Sequence, residues 1–166
     1  MVPEIKENLN IHAKYVLARI HCFEETFCET GSHYFGNVTK RSDYDLMAEY
    51  TEDLVKKLQL LGFKNVDKLY GDRSIYLVMN HHSGIDIQLL IAGYLDIKKK
   101  AQKLLNSDLH FVYCACKESK DNFAIMQLWD YIMAQIKIKE DASKNLVFGC
   151  SQVQGGIFGG LTYPKV

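Results

Sequence analysis

Ile5, Leu9, Ala13, Val16 and Ile20 recur at spacings of three and four with polar residues between them. This is the apolar stripe of an amphipathic helix, predicted over residues 4–18 and entered through Pro3, whose fixed φ suits a first helical turn. The aromatic and threonine content of residues 22–30 predicts a short strand, and the turn formers of 31–42 predict a loop. Residues 43–47 then alternate polar and apolar at the strand period, so Tyr44 and Leu46 are expected to face a core while Asp43 and Asp45 project from the other side. Thr51 is placed to cap a helix carrying Leu54, Val55, Leu58 and Leu61 on one side, with Gly62 to end it. Residues 74–80 and 85–91 are aliphatic runs joined by His-His-Ser-Gly, the pattern of a β-hairpin.

Beyond the hairpin, residues 96–107 predict a short basic helix, 109–116 a strand, and 121–138 a long, largely buried helix. The core stripe of this last helix would be Phe123, Met126, Trp129, Ile132, Met133 and Ile136. The glycine-rich residues 149–166 carry no assignable pattern. Strands and helices mixed in this order predict an α+β (mixed α/β) fold: a small mixed sheet flanked by helices, in a single domain spanning 1–166.

Composition adds exclusions. Twenty basic residues balance twenty acidic ones, so the whole-chain field that draws in nucleic acid or an anionic membrane is missing. Five cysteines cannot all pair, and none are spaced C-x-x-C, so reduced thiols are expected instead of a disulfide framework or zinc ribbon. With no apolar run of signal-peptide or membrane-spanning length, a cytoplasmic protein without membrane contact is the expectation.

The candidate chemistry lies in three aspartates. Asp43 and Asp45, at i and i+2 on a strand, stand on one face about 6.6–6.8 Å apart at Cα. Asp86, between Ile85 and Ile87 of another predicted strand, is costly there unless it meets a cation or hydrogen-bond donors. Three converging strand carboxylates form a hard, oxygen-rich site suited to magnesium, with manganese as an alternative, completed by substrate phosphates. Two such ions imply phosphoryl or nucleotidyl transfer. The Gly31-Ser32 turn offers close backbone approach and a hydroxyl donor for phosphates.

Gly31-Ser32, ten intervening residues, Asp43-Tyr44-Asp45-Leu46 and the later Ile85-Asp86-Ile87 together resemble the nucleotidyltransferase superfamily that includes DNA polymerase beta. The likeness covers residues 20–92, which would be the catalytic core. Residues 93–166 would be a C-terminal extension of the same domain and match no module. The resemblance implies a nucleoside triphosphate held by two divalent ions, and transfer of a nucleoside monophosphate to an acceptor with release of pyrophosphate. It carries over Asp43, Asp45 and Asp86 as catalytic metal ligands, and Gly31 with Ser32 as the phosphate-binding turn.

Lys40 and Arg41 stand where they could reach triphosphate oxygens, or equally where they form a solvated loop pair; Arg73, Lys98, Lys99 and Lys100 share that ambiguity. His81 and His82 fit a hairpin turn better than a zinc site, and Cys114 and Cys116 fit small apolar packing. The acceptor is open: a protein, a small molecule or an RNA end, with a partner protein or a second copy completing the site as a further option. A non-catalytic, antitoxin-type regulator and a metal-dependent nuclease or phosphatase are the competing functions; the Gly-Ser turn ahead of D-x-D disfavours the last.

Overall fold

The computed structural model describes residues 9–39, 42–66 and 73–148, with side chains described to residue 143. The fold is mixed α+β, and the chain forms two compact units, residues 1–99 and 100–166.

The first unit is built on a five-stranded mixed sheet. Its strands are β1 (Cys28–Thr30), β2 (Tyr44–Glu49), β3 (Lys64–Val66), β4 (Ile75–Asn80) and β5 (Ile85–Leu90), in spatial order β1-β2-β5-β4-β3. β2 and β5 run parallel at the centre, and every other pairing is antiparallel. Strand parity sorts the side chains. Tyr44, Leu46 and Ala48 of β2, with Ile85, Ile87 and Leu89 of β5, are buried in one cluster with α1 (Ile11–Ile20) and α3 (Glu52–Leu60). Each leucine or isoleucine side chain withdrawn from water here contributes about 1.5–3 kcal/mol, so this face of the sheet holds the unit together.

The helix ends have local causes. Asn10 Oδ1 accepts from Ala13 N at 2.8 Å, so α1 starts at Ile11. The helix predicted over 4–18 therefore begins at Ile11 and runs to Ile20; Pro3 and residues 4–8 lie outside the described residues. Thr51 Oγ1 accepts from Leu54 N at 3.0 Å, as its sequence position predicts, and Gly62 follows α3 with φ +100°. The predicted 31–42 loop is corrected in part. It opens with one helical turn, α2 (Gly31–Phe35), closed by Gly36 at φ +84° and seated by the buried ring of Phe35. β3, three residues at the sheet edge, has no counterpart among the predicted elements.

α4 (Leu95–Asp108) spans the boundary between the units, and the second unit continues with α5 (His110–Glu118) and α6 (Asn122–Phe148). The predicted strand at 109–116 is thus a helix. Its aromatic residues, strand formers by composition, are used at helical spacing: His110 contacts Asn106 (2.8 Å) and Cys114 (3.6 Å), each four residues away. Asp121 Oδ1 caps α6 by accepting from Ala124 N at 3.0 Å. Trp129, Ile132 and Met133 are buried, but Phe123 and Tyr131 are 64% and 52% exposed, so α6 buries one stripe and is not largely buried. Among the described residues, no helix is long and apolar enough to cross a membrane. Cys150 and the glycine-rich tail lie outside the described residues.

Candidate functional site

The parallel register of β2 and β5 pairs Asp45 directly with Asp86, while Leu46 pairs with Ile87. Because Leu46 and Ile87 belong to the core, the two carboxylates stand on the opposite face, on strands about 4.8 Å apart. The row extends to both sides: Thr30 pairs with Asp45 from β1, and Asn80 with Asp86 from β4. Four polar residues on four neighbouring strands thus form a band across the sheet, with two acids at its centre. Like charges facing each other on adjacent strands destabilise a sheet, so such a pair implies compensation by positive charge.

Gly31 packs against Asp45. It follows β1 directly and opens α2 with φ +69°, a conformation that L side chains rarely adopt. A Cβ there would collide with Asp45 Oδ2 and lie 2.9 Å from Asp45 Cγ, so a side chain at position 31 would displace the carboxylate. Ser32 continues the same helical turn. α2 is held against β2 by the His33 ring, which meets Tyr44 edge-on at 5.1 Å between centroids. Tyr44 Oη in turn donates to Glu29 Oε2 at 2.9 Å. Burial and the adjacent Glu29 carboxylate push the Tyr44 phenol well above its ordinary range, so this bond keeps its proton under all working conditions.

Asp43 sits just ahead of β2, at the mouth of the hairpin turn. Its Oδ1 is 3.9 Å from where a Cβ on Gly84 would lie, and it lines a cavity with Asn10, Ser42, Ser83 and Gly84. The turn is fastened from two sides. Asn10 Nδ2 donates to Ser83 O at 2.9 Å, and His81 Nδ1 accepts from Ser83 N at 3.1 Å while its Nε2 meets Leu61 O at 3.1 Å. With Nδ1 accepting, the proton sits on Nε2. His81 is a neutral hairpin clamp, its pKa lowered first by burial and then by His82.

The structure therefore brings Asp45 and Asp86 side by side and Gly31 against Asp45, with Asp43 exposed at the strand entrance. Among the described residues, no group of three His, Cys, Asp or Glu side chains is assembled as a metal cluster. Lys40 and Arg41 lie outside the described residues. Lys98 is a residue whose place the sequence did not reveal. It is 2% exposed, and its Nζ donates to Gln88 Oε1 at 3.0 Å. Gln88 shares the face of Asp86, so an ammonium lies on the carboxylate side of the sheet. Its neighbours Lys99 and Lys100 are exposed, and Lys100 Nζ pairs with Glu140 Oε1 at 2.7 Å.

No family model, curated protein or solved structure matches this chain. What the site can do is argued from its own residues.

Proposed function

We propose that the chain is a cytoplasmic, metal-dependent nucleotidyltransferase, which transfers a nucleoside monophosphate from a nucleoside triphosphate to an acceptor and releases pyrophosphate. The observation that carries this reading is the Asp45–Asp86 pair, in register on the central parallel strands, with a glycine that leaves the Asp45 carboxylate room. The resemblance of the Gly-Ser turn, the D-x-D strand and the later aspartate to the nucleotidyltransferase superfamily supports it from the sequence.

The donors fit a divalent ion. They are oxygens only, and magnesium is usually held by one or two carboxylates plus substrate phosphates, so a preassembled three-residue cage is not required. Asp45 and Asp86, with Asp43 from the strand entrance, would hold it. Bound there, it would neutralise the triphosphate and lower the pKa of the attacking group.

The chain's own residues have separate tasks. Gly31 lets the backbone of the α2 turn approach the phosphates closely, and Ser32 supplies a hydroxyl donor. Asp86 accepts the proton of the acceptor's nucleophile as that atom bonds to the α-phosphorus. The bond from that phosphorus to the β-bridging oxygen breaks, and pyrophosphate carries the electron pair away.

The test is incubation of the full chain with each of four α-labelled nucleoside triphosphates, magnesium and cell extract, following label into protein, small-molecule and RNA fractions. Label in one fraction with wild type and none with Asp86→Asn is the expected result. Label in no fraction with any nucleotide would overturn the reading.

A further inference from the structure

The second unit carries a nucleophile with a base aimed at it. His110 opens α5, and its two ring nitrogens reach one helical turn in each direction. Nδ1 is 2.8 Å from Asn106 Oδ1, and Nε2 is 3.6 Å from Cys114 Sγ. An amide oxygen can only accept, so the proton sits on Nδ1 and the lone pair of Nε2 faces the thiol. The thiol therefore donates to an imidazole that can take its proton, and Asn106 fixes the tautomer that allows it. The three residues are spaced four apart across the α4–α5 junction, and all are partly exposed, within reach of a small molecule. The other described cysteines are placed differently. Cys22 Sγ donates at 3.7 Å to the Ala18 carbonyl, which is no base, and burial pushes the Cys28 thiol up. Cys116 shares α5 with Cys114 but, two residues on, lies about 200° round the helix.

We propose that Cys114 is a thiol modification site that takes small-molecule disulfides, with His110 as its base and Asn106 as the positioning residue. The thiol proton passes to His110 Nε2 as Sγ attacks one sulfur of the disulfide. The S–S bond breaks, and the departing thiolate takes that proton from Nε2 and leaves as a free thiol. Cys114 is oxidised to a mixed disulfide, the released sulfur is reduced, and no further reactant is needed. Exchange suits this site better than acyl transfer. An acyl group needs N–H donors for its oxyanion. The amides here serve the helix instead, as Tyr113 N does in donating to Leu109 O at 2.9 Å. In exchange, the charge stays on sulfur. Cys116, on the far side of α5, cannot reach the adduct to resolve it, so the modification persists until an external thiol reverses it.

The experiment incubates the reduced full chain with oxidised glutathione at pH 7 and reads the occupancy of each cysteine against time by peptide mass spectrometry. Cys114 is expected to form the mixed disulfide about tenfold faster than Cys22, although Cys22 is the more exposed. An unassisted thiol is only a few per cent thiolate at that pH, which leaves room for a gain of this size. His110→Gln, which cannot take a proton, should lower the Cys114 rate about tenfold and leave the Cys22 rate unchanged. Asn106→Leu should lower it as well, while Asn106→Asp, which still accepts from Nδ1, should keep it near wild type. Mere loosening of the helix would expose the sulfur and raise the rate in Asn106→Leu, so the direction of the change separates positioning from packing. The comparison of Cys114 with Cys22 in wild type needs no variant and stands if a substitution fails to fold by circular dichroism. Cys114 no faster than Cys22 in wild type would overturn the proposal, as would a Cys114 rate unchanged or raised in folded His110→Gln or Asn106→Leu.

Discussion

Two single residues concentrate the chemistry. Asp86→Asn keeps the size and hydrogen-bonding reach of the side chain but removes the charge that holds a cation and the basicity that takes a proton. Transfer should fall by at least about 10²–10⁴-fold, the range for loss of a general base, while circular dichroism shows a folded chain. Near-native turnover in this variant would remove Asp86 from the mechanism. Gly31→Ala tests the other side of the pair. The added methyl meets the Asp45 carboxylate and forces a left-handed φ on an L residue. Urea unfolding should show a loss of about 1–3 kcal/mol, with transfer reduced as well. A variant as stable and active as wild type would mean that α2 does not press on Asp45.

At the level of elements, Thr51→Ala should cost about 1 kcal/mol, since it orphans the Leu54 amide at the start of α3. The hairpin has a pH signature. His81 is neutral in the fold and its pKa is depressed below the usual value of 6.5. Its contribution is therefore complete above about pH 6.5 and is lost as pH falls through the lowered folded value, where protonation costs the folded state more than the unfolded one. Tm followed from pH 7.5 down to 5 should fall more steeply for wild type than for His81→Gln; parallel curves would exclude the imidazole as the cause. How legible each element was in the sequence follows from how local its cause is. Thr51 with its apolar stripe, the hairpin, and the alternation that sets Asp45 opposite Tyr44 and Leu46 all depend on neighbours within a few residues. α2 is a single turn, too short for periodicity to appear, and β3 is three residues that only an edge pairing makes a strand. At 109–116, strand-forming composition and helical spacing disagreed, and packing of Tyr113 decided for the helix. Lys98 was unreadable for a related reason: in a run of three lysines, burial of one is a tertiary property. The Asp45–Asp86 register, likewise, depends on a parallel pairing that no spacing along the chain specifies.

For the molecule as a whole, charge decides how a nucleotide can bind. A triphosphate brings about four negative charges to a face that already holds the Asp45–Asp86 pair, and a chain of net charge zero supplies no general field to draw it in. Binding must therefore be coupled to a divalent ion, and coupling of this kind is visible as stabilisation of the folded state. The most direct test is the Tm of the full chain with each nucleoside triphosphate, in magnesium and in chelator, for wild type and for the Asp45→Asn, Asp86→Asn double variant. At a ligand concentration about 100-fold above Kd, roughly 2.7 kcal/mol of stabilisation should raise the wild-type Tm by about 5–10 °C in magnesium. Neither wild type in chelator nor the double variant in magnesium should shift. Equal shifts in chelator and magnesium, in both proteins, would contradict the account, because nucleotide would then be binding without the carboxylates and without a cation.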